Sequence, residues 1–291
     1  MFAITGITGK VGGTLARALL AAGQPVRAVL RDPRKGEDWA AQGCEIAIAD
    51  MEDAAALTAA FAGAAAAFIL PPPVFDPEPG YPEARAVIES VAEALRAAAP
   101  ARILCLSTIG ADAEHDNLLS QRTMMEAALH DLALPLTMLR PAWFADNAAW
   151  DVAPVRETGL MQSFLVPTDK PIPMVAAADV GIEAARLIQE EWQGTRVVEL
   201  EGPRRVAPDD IAAAFARVLG RPVRAVAVPR KRWEALFREQ GMRHPLARMR
   251  MLDGFNEGWI AFRDGGRHAV KGRTGIDSVV ETLVAAPRQA G

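Results

Sequence analysis

A glycine-rich turn between the first strand and the first helix constrains this chain more than any other feature. Residues 2–5 are an apolar strand, and Gly6-Ile7-Thr8-Gly9-Lys10-Val11-Gly12 leads into a helix predicted over 11–22. Glycine permits the sharp bend at Gly6, close approach to a ligand near Gly9, and tight helix–strand packing at Gly12. The amides that open the helix suit a diphosphate. The alternative is a tight turn that holds no ligand.

The same alternation of short apolar strands and amphipathic helices continues through the first half of the chain. The pattern predicts strands at 2–5, 26–30, 45–49, 66–70, 102–107 and 136–139, and helices at 11–22, 53–61, 83–98 and 119–131. It is typical of an α/β protein with a Rossmann-type, doubly wound parallel sheet. We assign residues 1–150 to this dinucleotide-binding domain.

The second half has a different rhythm, which predicts a smaller C-terminal α/β substrate lobe over residues 151–291. A proline- and aromatic-rich stretch after residue 139 marks the expected cleft. A helix at 177–192 is expected to pack back on the first domain. The other predicted elements are a small α/β unit at 196–200, 209–219 and 223–228, and helices at 231–240, 245–261 and 278–286.

Composition excludes several protein classes. With 51% hydrophobic residues, 23% charged residues and a net charge of -4, the chain can bury a large core. Cys44 and Cys105 are too few for a disulfide framework or a zinc finger, and the scattered histidines predict no metal site. No secretory signal pattern opens the sequence, and the longest apolar tract is far shorter than the roughly 20 residues of a membrane span. We therefore expect a cytoplasmic protein without a membrane partner.

The end of the second strand bears on cofactor choice. Arg31, Arg34 and Lys35 cluster about twenty residues after the glycine turn, where basic side chains bind the 2′-phosphate of NADP(H). We assign Arg31 and Lys35 to this site and expect NADP(H) to be preferred. Asp32 keeps NAD(H) possible, because a carboxylate there binds ribose hydroxyls. A solvated basic loop is the alternative.

Several segments together resemble the NmrA-like branch of the atypical short-chain dehydrogenases, especially its type 2 NAD(P)H:quinone oxidoreductases and azo-dye or triphenylmethane reductases. The similarity covers nearly the whole chain. The segments that carry it are 5–12, Arg31, 49–50 with Asp53, 139–147, 199–203 and 219–222.

The resemblance implies further cofactor contacts beyond the turn residues Gly6, Thr8, Gly9, Lys10, Val11 and Gly12. They follow strand ends and comprise Asp50 and Met51 beside the adenine, Leu70, Pro71 and Pro72 along the ribose and diphosphate, Ser107 and Thr108 beneath the nicotinamide, and Pro141, Trp143 and Phe144 beside it. Strand ends favour ligand binding in such sheets. Asp50 could instead cap the next helix, and the prolines could only stiffen a loop.

Catalytic residues stay unassigned. The only tyrosine, Tyr81, is followed four residues later by Arg85 rather than lysine, so the Tyr-Lys dyad of short-chain dehydrogenases is absent and Tyr81 is expected at a helix start. Arg122 is a poor proton donor that could bind a substrate anion or cover a helix surface. A flat acceptor that tolerates added charge needs no such acid, and Trp143, Phe144, Asn147 and Trp150 are predicted to bind it, with an aromatic core as the alternative.

These observations predict an NADPH-dependent reductase of a quinone-like, azo or other flat electrophile. The alternative is a non-catalytic NADP(H) redox sensor that binds a regulatory protein. Residues 221–250 are rich in Lys and Arg, with only Glu234 and Glu239 as acids, and could attract an acidic partner; a solvated helical face is the interpretation we favour, and nucleic acid binding is not expected. The pattern leaves monomer and homodimer open.

Overall fold

The computed structural model describes residues 1–286 as a series of short strands and helices. The strands are Phe2–Ile4 (β1), Val26–Leu30 (β2), Glu45–Ile48 (β3), Ala66–Ile69 (β4), Ile103–Leu106 (β5), Leu136–Pro141 (β6), Trp143–Phe144 (β7), Leu160–Ser163 (β8), Met174–Val175 (β9), Thr195–Glu201 (β10), Arg224–Ala227 (β11) and Val270–Lys271 (β12). The α-helices are Lys10–Ala21 (α1), Gly36–Ala41 (α2), Ala54–Phe61 (α3), Pro82–Ala98 (α4), Ser120–His130 (α5), Val152–Thr158 (α6), Ala177–Ile188 (α7), Pro208–Leu219 (α8), Trp233–Glu239 (α9), Leu246–Glu257 (α10) and Ile276–Ala285 (α11).

The main sheet has eight parallel strands in the order β12-β10-β6-β5-β4-β1-β2-β3. Chain order runs outward in opposite directions from the β4–β1 pair, so a crevice opens there beyond the carboxyl ends of the strands. This confirms the predicted doubly wound parallel sheet and places the glycine turn, which follows β1, directly at the crevice.

Strand side chains alternate between two hydrophobic cores, as the two-residue period of a strand requires. On β4, Phe68 belongs to the core that α1 and α7 cover, whereas Ile69 belongs to the core under α3, α4 and α5. Helix α7 packs closely on α1 because Gly181 lacks a side chain: a Cβ there would lie 2.6 Å from Cβ of Thr14.

One part of the predicted second lobe was wrong. The strand predicted at 196–200 does not join residues 223–228 in a separate α/β unit, because β10 pairs with β6 along its whole length and β12 pairs with β10. Strand β11 instead pairs with β8, a short strand the sequence did not predict. Residues 151–286 thus contribute two strands, β10 and β12, to the main sheet, and residues 287–291 lie outside the described residues.

Helix boundaries differ from the predicted ones by a few residues where backbone geometry intervenes. Helix α10 ends at Glu257 rather than continuing to 261, since Gly258 adopts a left-handed conformation with φ of 93°. Within residues 1–286, none of the helices has the length and apolar character needed to cross a membrane.

Candidate functional site

The turn between β1 and α1 requires glycine at two positions, Gly6 and Gly12. Gly6 has φ of 62°, and the Gly9 amide donates to the Gly6 carbonyl at 3.0 Å. A Cβ on Gly12 would lie 2.3 Å from the same carbonyl oxygen. Helix α1 begins after Gly9 with no capping side chain from residues 1–286 and no acid in its first turn. Its first amides and its positive end therefore face the crevice, and they suit an anion.

Thr5 joins this turn to the end of β4. Its buried hydroxyl donates to the Phe68 carbonyl at 3.0 Å and accepts from the Leu70 amide at 2.8 Å. The Leu70 side chain consequently lies against Gly6, where a Cβ would come within 2.7 Å of it. The predicted diphosphate turn and the predicted Leu70–Pro72 path thus form one continuous wall.

At the end of β2, Arg31 and Asp32 have different surroundings, which bears on the choice between NADP(H) and NAD(H). Asp32 caps the following 3-10 turn and accepts from Nε and Nη2 of Arg34, each at 3.1 Å. The hydrogen bond from Arg34 lowers the pKa of Asp32, and the nearby charges of Lys35 and Arg31 add to this effect. Arg31 is exposed and forms no ion pair within residues 1–286. Its guanidinium is available to a phosphate, whereas Asp32 is already paired.

The end of β3 lies beside the end of β2, since the Ala49 amide donates to the Leu30 carbonyl at 3.1 Å. The possibility that Asp50 caps the next helix was wrong, because Asp53 caps α3 through the Ala56 amide at 2.9 Å. Asp50 stays exposed, with its carboxylate bound only by the Glu52 amide at 3.1 Å among residues 1–286.

Lys10 connects the glycine turn to the aromatic segment. Its ammonium donates to Oδ1 of Asp146 at 2.8 Å, and Oδ2 of the same carboxylate accepts from the Ala177 amide at the start of α7. Lys10 was predicted to contact the cofactor. In the structure it also holds the 3-10 helix Ala145–Asp151 against α1 and α7.

A buried ionic network lies under the ends of β5 and β6. The Ser107 hydroxyl donates to Glu126, and Glu126 accepts from Nε and Nη2 of Arg140 at 2.9 and 2.6 Å. Nη1 of Arg140 donates to Asp112 at 2.8 Å, which also accepts from Arg263. Burial alone lowers the pKa of Arg140, but the hydrogen bonds and charges of the two carboxylates outweigh it and raise the pKa. Ser107 is thereby held at the carboxyl end of β5, and its hydroxyl proton is used in the hydrogen bond to Glu126.

Arg122 has a structural contact that the sequence did not predict. Its Nη2 donates to the Pro71 carbonyl at 3.1 Å, so it holds the start of the triple-proline loop. Burial lowers the pKa of the Arg122 guanidinium. A small pocket lined by Pro71, Pro72 and Arg122 lies beside it.

The four predicted acceptor-binding side chains share one segment. Trp143 and Phe144 form β7, which pairs with β9, and both are half-buried, as is Asn147. Trp143 meets Phe255 of α10 edge to face at 5.1 Å between ring centroids. Trp150 is 60% exposed. The segment thus runs from a packed inner end at Trp143 to an open outer end at Trp150.

Tyr81 starts a helix, as predicted, and its hydroxyl is hydrogen-bonded to a carboxylate. It precedes Pro82 at the beginning of α4, and its buried hydroxyl donates to Asp116 at 2.7 Å. Burial, reinforced by that carboxylate, raises the pKa of Tyr81 well above its ordinary value. No cluster of His, Cys, Asp and Glu within the described 286 residues could hold a metal ion.

Comparison with known proteins identifies the family of this chain. The model of the NmrA-like family matches residues 1–259 of this chain. The chain belongs to the NmrA-like family.

Two curated relatives of this chain are named as an oxidoreductase and a reductase. Quinone oxidoreductase 2 of Escherichia coli strain K12 is 28% identical over 253 residues, which is 86% of this chain and 85% of the relative. An NAD(P)H azoreductase of Xenophilus azovorans is 25% identical over 261 residues, 88% of this chain and 85% of the relative. The solved complex of the Escherichia coli quinone oxidoreductase with NADPH superimposes with a TM-score of 0.81 at 26% identity, covering 97% of this chain and 99% of that one.

Several residues that shape the site were not predicted from the sequence. Glu126 and Asp112 are distant in sequence from Arg140, so only their packing pairs them. Phe255 carried no signal beyond an ordinary core pattern. Thr5 could have been found, because a threonine at the buried end of a strand needs a hydrogen-bond partner.

Proposed function

We propose that this protein is an NADPH-dependent reductase that delivers hydride to a quinone-like, azo or other flat electrophilic molecule without a Tyr-Lys dyad. The observation that carries the proposal is the turn at the crevice, where Gly12 leaves no room for a Cβ and the start of α1 offers unblocked amides. The names and activities of the quinone and azo reductases in the same family support it.

The residues fit the cofactor at both ends. The amides that open α1 would bind the diphosphate, the carboxyl ends of β2 and β3 would hold the adenosine part, and Arg31 would pair with the 2′-phosphate. Asp32 offers little competition for a ribose hydroxyl because Arg34 occupies its carboxylate. This arrangement favours NADPH over NADH.

Chemistry at the other end of the cleft depends on position rather than on a strong acid. Bound NADPH would supply a hydride, which carries two electrons and one proton, and the reduced quinone anion would take one further proton from water. Trp143 and Phe144 would hold the acceptor ring, and the Asn147 amide would donate to its oxygen. Tyr81 and Ser107 have hydroxyls committed to carboxylates, so neither is assigned as the proton donor.

Turnover of NADPH with a panel of quinones and dyes tests this function. We expect oxidation of NADPH that depends on the acceptor, and a slower rate with Trp143→Ala or Asn147→Ala. If no acceptor is reduced while NADP and NADPH bind with clearly different affinities, the redox-sensor alternative replaces the enzyme.

Cofactor choice has a separate test in Arg31→Ala. Loss of a charged hydrogen-bonding partner should weaken NADPH about tenfold or more, with little effect on NADH. Arg224→Ala, which removes an exposed arginine of β11, is the matched control and should leave both affinities unchanged. Equal losses for the two cofactors in Arg31→Ala would refute the phosphate assignment. Calorimetric titration of the native protein and the two variants with each cofactor measures the six affinities.

The basic segment 221–250 gives the sensor alternative little support. Its arginines at 230, 238, 243 and 250 lie within 4.0 Å of carboxylates, at Asp253, Glu234, Asp76 and Asp116 respectively. Three of these acids lie outside the segment. Four of the nine Lys and Arg side chains of the segment are therefore paired in the folded protein, which supports the interpretation of a solvated helical surface.

A further inference from the structure

Helix α10 lies along the aromatic segment that we assign to the acceptor. Phe255 contacts Trp143 at the inner end, and Arg248 lies over Trp150 at the outer end, with 5.9 Å between the guanidinium carbon and the ring centroid. Arg248 and Phe255 are seven residues apart, which is about two helical turns and places both on one face. The helix thus presents an aromatic ring at one end of the aromatic segment and a cation at the other.

Arg248 has aromatic neighbours but no carboxylate partner among the residues that the structure describes. Its guanidinium carbon lies 4.5 Å from the centroid of Phe237, and Nη1 lies 3.7 Å from the sulfur of Met242. Within residues 1–286 no carboxylate comes within 4.0 Å of it, whereas Arg250 in the same helix pairs with Asp116 at 3.5 Å. Burial lowers the pKa of Arg248, with no opposing carboxylate. A guanidinium held on rings in this way keeps donors for an external anion.

Two exposed aromatic side chains border the same outer end. Trp150 is 60% exposed and Phe75 is 55% exposed, and their rings meet edge to face at 6.4 Å. Phe75 belongs to the loop after the three prolines, and the next residue, Asp76, accepts from the amides of Arg243 and His244 just before α10. The proline loop and α10 therefore meet at this mouth, where flat apolar surface lies beside the unpaired cation.

We propose that the acceptor is a flat aromatic molecule that carries an oxyanion, a sulfonate or carboxylate, and that Arg248 binds this group at the mouth while the ring system extends inward toward Trp143. The proposal rests on the proposed reductase function and specifies its substrate class. Arg248 pairs with the oxyanion through its guanidinium N–H groups, and Trp150 covers the adjoining ring. Neutral acceptors of the same shape lack this contact and bind more weakly.

Binding tests the inference without requiring turnover. Naphthalenesulfonate and naphthol, similar in shape and different in charge, are titrated calorimetrically into the NADP-saturated protein. We expect the sulfonate to bind about tenfold more tightly, as a charged hydrogen bond provides, and Arg248→Gln to remove that difference. Arg248→Lys should retain part of it. Arg250→Gln, a neighbouring arginine with its own carboxylate, is the control and should retain all of it.

Three outcomes of the titration would overturn the inference. They are equal affinities of the native protein for the two ligands, equal weakening of both ligands by Arg248→Gln, and loss of the preference in Arg250→Gln to the same extent as in Arg248→Gln. Equal weakening would mean that Arg248 only supports Trp150. Thermal unfolding and NADPH affinity of each variant verify that it is folded.

Measurements of turnover distinguish the anion preference from the proposed reductase function. With naphthoquinone and naphthoquinone sulfonate as acceptors, Arg248→Gln should lower kcat/KM about tenfold for the sulfonate and leave the neutral quinone unchanged. If the native protein reduces neither acceptor, the reductase proposal fails and the titration still decides the role of Arg248. If both are reduced and the variant affects them equally, the reductase stands and the anion preference fails.

Discussion

The two halves of the cleft differ in whether main-chain groups or side chains form them. Beside β1 and β2 the site consists of main chain, with the turn of Gly6–Gly12, the amides of α1 and one exposed guanidinium. Beside β5 and β6 it consists of side chains from different segments, namely the Ser107–Glu126–Arg140 network and the aromatic contact of Trp143 with Phe255. A backbone site tolerates almost no added volume, whereas a side-chain site tolerates changes in shape but depends on balanced charge.

The largest effect should come from Glu126→Gln on the side-chain half. Glu126 and Arg140 are nearly inaccessible, and Glu126→Gln leaves the buried guanidinium with only the more exposed carboxylate of Asp112. We expect a loss of about 3 kcal/mol or more in the free energy of unfolding, measured in urea. Glu234→Gln breaks the exposed pair with Arg238 and should cost less than about 1 kcal/mol. Similar small losses in both variants would show that the network adds nothing to stability.

Gly12→Ala tests the main-chain half. The new methyl group would lie 2.3 Å from the Gly6 carbonyl, so α1 must move away from β1. Overpacking of this kind should cost about 2 kcal/mol of stability and abolish measurable NADPH binding. Gly275→Ala adds a methyl group with no neighbour within 4 Å at an ordinary φ of -79°, and should bind NADPH normally. Unchanged NADPH affinity in Gly12→Ala would contradict a cofactor site defined by the backbone.

Asp151 should give the side-chain half a pH dependence of stability. It ends the 3-10 helix that carries Asn147 and Trp150, and burial raises its pKa from 3.8 to about 7. The folded protein therefore retains a proton that the unfolded chain releases, and stability falls as pH rises from about 4 to about 7. Asp151→Asn should flatten this decline and add about 1 to 2 kcal/mol above neutral pH.

Thermal unfolding across that pH range measures the effect. The control is Asp131→Asn, which changes an exposed aspartate at the end of α5 and should keep the pH profile of the native protein. An unchanged profile in Asp151→Asn would show that its carboxyl is ionised in the folded protein.

The fold was predictable because its signals are local and repeated. Alternating strands and helices indicated the parallel sheet, and β1 to β6 lie close to their predicted positions. Strand β10 was misplaced because nothing in its own residues distinguishes a partner in the main sheet from one in a second lobe. Its pairing with β6 depends on the path of α7 across the first domain.

The candidate site divides in the same way. The turn of Gly6–Gly12 and the cationic end of β2 could be identified from spacing, although Lys10 also serves as an anchor for Asp146. The pairing of Asp32 with Arg34, which bears directly on cofactor choice, depends on one 3-10 turn. The sequence spacing of Asp112, Glu126 and Arg140 does not indicate that they form a single network.

By itself the sequence determined the parallel sheet, the glycine turn at its crevice and the family, because each depends on residues that are neighbours along the chain. The tertiary structure alone decided which charges neutralise each other. It places the Arg248 guanidinium against two aromatic rings, with no carboxylate of residues 1–286 paired to it. Electrostatic pairing depends on distances between segments that are far apart in sequence, and those distances exist only once the sheet and its helices have packed.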